Sequence, residues 1–140
     1  MDVGRVMTHG AVTVQMDDPL LIVKDILDNS PFHHLLVVES GILRGVISDR
    51  DLLKVLSPRI GTLAETEKDR ACLHKKAHQI MTRDPITLPL NADVRDALEI
   101  FNQHTISCIP VVNDENKPLG IISWRDLLKV TKVRPAPKSE

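Results

Sequence analysis

The chain of 140 residues has no tyrosine, two phenylalanines and a single tryptophan. So few rings argue against single-stranded nucleic-acid binding, which uses aromatic platforms for successive bases. Neither sign of charge is in excess: 18 Lys and Arg stand against 19 Asp and Glu, a net charge of −1. That removes the broad attraction that nucleic acid or an anionic membrane would need. No apolar run approaches the length of a bilayer span. The opening MDVGRVMTHG lacks an apolar stretch of the signal-peptide type. Cys72 and Cys108 have no metal-type spacing, so a reduced, cytoplasmic protein is expected. His74 and His78 stand at helical i, i+4 spacing, but no third ligand is evident, and a solvated linker face is the simpler reading. A P-loop and a nucleophile–base pair are also missing, so no catalysis is expected.

What is present is a repeat. GVISDRDLLKV at 45–55 returns as GIISWRDLLKV at 120–130, with nine of eleven positions identical. An offset of 74 places Met7-Thr8 on Met81-Thr82, Ile26 on Ile100 and Val37-Val38 on Val111-Val112. From Gly45 the offset is 75, and the extra residue falls in a turn, where insertions are tolerated.

Each copy reads β-α-β-β-α. A short β segment (12–14; 86–88) leads to an amphipathic helix (20–29; 94–104), with Asp17 or Asp18 and Asn91 as candidate caps. Two apolar strands around a polar turn follow (35–38 and 42–47; 109–112 and 119–122), then a closing helix (50–56; 125–130). Alone, such a unit leaves one sheet face bare, so two copies should pack together. Residues 57–76 read as a charged linker helix, with Thr62 and Glu65 as a capping box and Leu63, Leu73, Ala77 and Ile80 as a weak apolar stripe.

The doubled unit, closed each time by G-h-h-S-x-x-D (h is apolar), resembles the cystathionine β-synthase (CBS) domain over roughly residues 3–56 and 77–131. The IMT…PIT opening and SDRDLL ending, on a nearly bare pair, are similar to the bacterial acetoin-utilisation-type proteins of that family. The resemblance implies an α/β (α+β) fold of two β-α-β-β-α repeats packed as a pseudo-two-fold pair, the Bateman module. The expected division is repeat 1 at 1–56, linker at 57–76, repeat 2 at 77–131 and a flexible tail at 132–140. It also implies a regulatory module without catalysis that binds AMP, ADP or ATP, with S-adenosylmethionine as another candidate. No other cofactor is expected. Homodimerisation and action through a regulated partner protein are expected, with no nucleic acid and no membrane. The alternative is a dimerising scaffold with vestigial clefts.

The Ser-x-x-Asp motif has two readings. It matches a helix capping box. By resemblance, the Asp accepts hydrogen bonds from ribose hydroxyls and the Ser faces the ribose–phosphate; a carboxylate has the acceptors for this. On that reading one cleft draws Ser48 and Asp51 from the first copy and Thr82, Ile86, Thr87, Ile106 and Ser107 from the second. The other draws Ser123 and Asp126 from the second copy and Thr8, Val12, Thr13, Phe32 and His33 from the first. The β-segment and bulky apolar residues would sandwich the purine; their plain alternative is core. His33 and His34 stand where the family often carries phosphate-binding basic residues, against Ser107 and Cys108 in the second copy. The Asp51 cleft is therefore expected to be the more charged. Cys108 reads as structural, and Trp124, in place of Asp49, as an interface anchor or a packed edge residue.

Overall fold

The computed structural model describes residues 1–130; the expected flexible tail, and Thr131 at the end of repeat 2, lie outside them. In chain order the elements are α1 (Val3–Val6), β1 (Thr8–His9), β2 (Thr13–Gln15), α2 (Leu20–Asp28), β3 (His34–Glu39), β4 (Ile42–Ser48) and α3 (Asp49–Val55). There follow α4 (Glu67–Ala71), α5 (Ala77–Ile80), β5 (Thr82–Arg83), α6 (Val94–Gln103), β6 (Cys108–Val112), β7 (Pro118–Ser123) and α7 (Trp124–Val130).

Each repeat builds a hairpin with a helix on either side of it in sequence. In the first, Ser40 and Gly41 both take positive φ, 51° and 79°, the backbone that a tight hairpin turn needs. The resulting β3 is buried from Leu35 to Val38 without alternation, because both faces are covered. Leu35 and Val37 pack on Leu20, Val23 and Leu52. Leu36 faces Cys108 and Ile121 of the other repeat. That second cluster is the seam between the two sheets.

The sheets do not respect the repeat boundaries. They run β1-β7-β6 and β2-β3-β4-β5. β1, from the first copy, pairs antiparallel with β7, Thr8 opposite Ile121. β5, from the second copy, pairs antiparallel with β4, Thr82 opposite Val46. The preceding turns travel with them: Val3 and Met7 join the core of repeat 2, while Ala77 and Met81 join that of repeat 1. Backbone bonds fix the exchange, with Val3 N donating to Ala92 O at 2.8 Å and Ala77 N to Asp18 O at 2.8 Å.

This exchange explains the glycine of the repeated motif. A Cβ on Gly45 would lie 2.5 Å from Met81 Sδ and 2.8 Å from Thr82 O. On Gly120 it would lie 2.6 Å from Thr8 O and 2.8 Å from Met7 Sδ. The visiting Met-Thr segment crosses directly over each glycine, and a side chain there would push it away.

Several local expectations change. The β segment at 86–88 contributes only a bridge, Leu88 to Val111, between Pro85 and Pro89, which offer no N–H. Pro19 and Asp93 occupy the cap positions of α2 and α6; Asp18 instead accepts from Gln15 N in the preceding turn. The linker is not one helix: Pro58 and Gly61 confine helix to α4 and a single 3₁₀ turn at Cys72–His74. Its capping box is Thr66 with Asp69 rather than Thr62 with Glu65. Leu63 is fully exposed, whereas Leu73 is buried, so the stripe begins at Leu73.

Candidate functional site

Ser48 and Ser123 each sit at the junction of a strand and a helix, and each closes a capping box. Ser48 Oγ accepts from Asp51 N at 3.1 Å, and Asp51 Oδ2 accepts from Ser48 N at 2.9 Å. The second copy repeats this, with Asp126 Oδ2 accepting from Ser123 N at 2.9 Å. Capping is therefore real in both copies.

Asp126 does more. Its Oδ1 accepts the hydroxyl of Thr8, from the other repeat, at 3.1 Å. Its Oδ2 also accepts from Ser123 Oγ at 3.1 Å. It is a buried charged side chain, at 6% exposure. The strand exchange makes this contact, because β1 carries Thr8 alongside β7. Among the described residues Thr82, the matching threonine, makes no bond to Asp51; Asp51 is half-buried and its Oδ1 is left unengaged.

Asp126 lies in a cleft of about 570 Å³ at the junction of the repeats. Thr8, Val12, Phe32 and His33 line it together with Ser123 and Asp126, as grouped from the sequence. Thr13 is exposed on β2 and is not in the lining. His34 and Ser107, assigned to the other cleft, line this one as well. They meet across the pseudo-two-fold: His34 Nε2 lies 2.7 Å from Ser107 Oγ. His33 Nδ1 lies 3.0 Å from Asp49 Oδ2, so each histidine ties the rim of the Asp126 cleft to a neighbouring loop or helix.

His33 and His34 thus line the Asp126 cleft, and His34 also feels the charge of Asp51. Arg125 and Lys129 join the lining. The sequence reading passed over them because RDLLK is common to both copies and reads as a helix surface; their i, i+4 spacing, one helical face, was the available signal. Trp124 lines the same cleft and packs on Phe101, ring centroids 4.9 Å apart. Burial is the largest influence on His34 and lowers its pKa, with Asp49 opposing; its imidazole is biased toward the neutral form. Burial pushes the Cys108 thiol up to about 12, and Asp51 adds to this, which fits a structural cysteine.

Of the residues assigned to the Asp51 cleft, Ile86 and Thr87 are half-buried beyond β5, and Ile106 packs against the repeat 2 core. Among the described residues no group of His, Cys, Asp and Glu could hold a metal ion. Among them, too, no helix is long and apolar enough to cross a membrane.

Two α/β repeats that exchange their first strands around a common cleft define a tandem pseudo-symmetric module. Its family follows from comparison: the CBS domain model matches residues 3–58 and again 77–132, and the chain belongs to the CBS domain family. It is 29% identical, over 90% of its length and 88% of the relative's, to a CBS domain-containing protein of Dictyostelium discoideum. It spans only 23% to 39% of other curated relatives, among them 23% of a homoserine O-acetyltransferase of Methanocorpusculum labreanum at 28% identity over 91% of this chain. Among solved structures it resembles the CBS domain pair of protein MJ0100 in complex with 5′-methylthioadenosine and S-adenosyl-L-methionine. There the TM-score is 0.77 at 24% identity, over 93% of this chain and 94% of that one. CBSX2 in complex with AMP gives 0.76 at 21%, over 91% and 93%. The acetoin utilization protein AcuB of Vibrio cholerae gives 0.75 at 22%, over 93% and 89%.

Proposed function

We propose that this chain is an adenosine-nucleotide-binding regulatory module whose main ligand site is the Asp126 cleft. The observation that carries this is one carboxylate, buried at the repeat junction and shared between Ser123 of one repeat and Thr8 of the other. Asp126 Oδ1 keeps acceptor capacity for a ribose hydroxyl, and the Thr8 hydroxyl is free to turn. Val12 and Phe32 supply apolar walls for a purine, Arg125 and Lys129 supply charge for phosphate, and His33 lines the same wall as a polar contact. AMP, ADP or ATP suits this cleft better than S-adenosylmethionine, whose sulfonium is cationic. The AMP-bound CBSX2 relative supports the reading.

The module regulates by linkage. A ligand that touches both repeats favours the arrangement of repeats in which it binds better, and output passes to a partner protein. The protein acts in the cytoplasm as a homodimer. Leu53 and Leu128, equivalent in the two copies and 71% and 67% exposed, offer the apolar surface for pairing. A second reading, a scaffold without ligand, is favoured by the capping boxes alone, since they account for Ser and Asp in both copies.

Calorimetry with AMP, ADP, ATP and S-adenosylmethionine decides between them. A nucleotide should bind, and Asp126→Asn should weaken it on the order of tenfold, because hydrogen bonds to a charged group are worth about 1.5–3 kcal/mol. Asp51→Asn should spare the Asp126 cleft. No binding of any of the four, together with unchanged folding, would leave the scaffold.

A further inference from the structure

His34 and Ser107 come from opposite repeats, 73 positions apart in the chain, and both line the Asp126 cleft. His34 Nε2 lies 2.7 Å from Ser107 Oγ. His34 is half-buried and Ser107 is exposed. Histidine is the side chain whose charge ordinarily changes between about pH 5 and pH 8. Of the two histidines in this cleft, His33 is paired with Asp49 of its own repeat, and His34 is the one bonded to the other repeat.

The groups that face His34 oppose one another. Burial is the largest influence and disfavours its charged form; Asp49 and Asp51 of α3 favour that form, and His33 beside it does not. Its register partner on β4 is the uncharged Ser48. From repeat 2 it meets Ser107, and the adjoining Cys108 keeps its thiol proton, with a pKa pushed up to about 12. Arg125, Asp126 and Lys129 line the same cleft. With no anion in the cleft, the balance leaves the ring biased toward neutral. The bond to Ser107 gives a proton a second consequence. A neutral ring with Nε2 bare accepts the Ser107 hydroxyl, whereas an imidazolium has an N–H at both nitrogens. Its Nε2 must then donate to Ser107 Oγ, and the hydroxyl proton turns to another acceptor. One proton adds a positive charge at the cleft wall and frees a hydroxyl donor beside it.

We propose that nucleotide binding in the Asp126 cleft is linked to uptake of a proton by His34, with the His34–Ser107 pair as the switch and the phosphate as the group that throws it. In the free protein Nε2 accepts from Ser107; in the complex the ring is charged, and Ser107 donates to a phosphate oxygen. The linkage is reciprocal: the phosphate favours the imidazolium, and the imidazolium favours the phosphate. Affinity is flat at high pH, where His34 is neutral in both states. It rises as pH falls through the window between the bound value of His34 and its lower free value. This rests on the nucleotide reading of the Asp126 cleft and adds a regulator of it, the proton.

The test uses the methyl ester of AMP, a phosphodiester whose charge is constant near neutral pH, because a phosphate monoester such as AMP itself titrates near about pH 6. Calorimetry into the full chain should show the ester binding about tenfold tighter near pH 5.5 than near pH 7.5, the weight of a hydrogen bond that gains a charge. Two buffers of different ionisation enthalpy should report proton uptake on binding. Adenosine, which has no phosphate, should show no such rise. His34→Gln should make the ester's affinity independent of pH. Ser107→Ala should reduce the rise, because the charge remains and the freed hydroxyl is gone. If His34→Gln does not fold, the imidazole signals of the parent protein carry the same test by NMR: the ester must raise the His34 pKa. An ester that binds equally at both pH values overturns this inference alone. So does a rise shared by adenosine, an undiminished rise in Ser107→Ala, or a His34 pKa that the ester leaves in place. No binding of AMP or its ester at either pH overturns the nucleotide reading and this inference with it.

Discussion

The two ends of this molecule carry nearly the same eleven residues and put them to different uses. At Asp51 the motif is a helix cap at a half-open surface. At Asp126 the same cap is buried and pulled into a bond with the opposite repeat. The neighbouring positions diverge further. Asp49 holds a histidine, while Trp124 stacks on a phenylalanine. Duplication supplies two copies of a site, and small differences in the residues that press on each copy decide which is closed and which is charged.

The sharpest way to break this comparison is to remove each carboxylate. Asp126→Ala orphans three donors at a buried position and should cost about 2–3 kcal/mol. Asp51→Ala removes a cap partner near the surface and should cost about 1 kcal/mol. Urea midpoints measure both, and equal costs would mean that the two ends are energetically alike. The glycines test the feature the ends share. Gly45→Ala and Gly120→Ala each force a Cβ against backbone and methionine of the visiting segment. Each should lose about 1–3 kcal/mol, as overpacked sites do; a loss near zero at either would show that the crossing segment yields there.

Thr8→Val keeps the shape of the side chain and deletes its donor to Asp126, at an expected cost of about 0.5–1.5 kcal/mol. Thr82→Val, with no such bond, should stay within about 0.5 kcal/mol of the parent. The smallest effect concerns His34. Its folded pKa is lowered by burial, so the unfolded chain binds the proton more readily. Stability should therefore be fully present above the unfolded histidine value, near 6.5, and decline as pH falls below it. Melting curves between pH 7 and pH 5 should show that slope, shallower in His34→Gln. An unchanged slope in the variant would remove His34 from the cause.

Much of this was legible in the residues. Periodicity located both helices and the hairpin of each repeat to within a residue or two, because buried faces impose their spacing on the sequence. Leu20, Val23 and Leu35 had to be inside for the first repeat to close at all. Serine and aspartate three apart before a helix announced the caps. The linker was less legible: Thr62 and Thr66 both precede acidic residues at cap spacing, and the choice between them depends on which turn Leu73 can bury.

The sequence by itself determined that there are two copies, which strands and helices each contains, and which side chains cap their helices. These are local matters, set by spacing and by backbone chemistry. It also grouped Thr8, Val12, Phe32, Ser123 and Asp126, through family resemblance. Only the tertiary structure decided where the charge lies. The resemblance put His33 in the Asp126 group but expected the histidine pair to charge the Asp51 cleft; in the structure both side chains line the Asp126 cleft, with Arg125 and Lys129. The reason is the seam between the two sheets, where Leu36 of β3 packs on Cys108 and Ile121 and brings His34 to Ser107. Long-range pairing sets each residue's surroundings, and nothing in a local pattern records which of two equivalent partners a strand will meet.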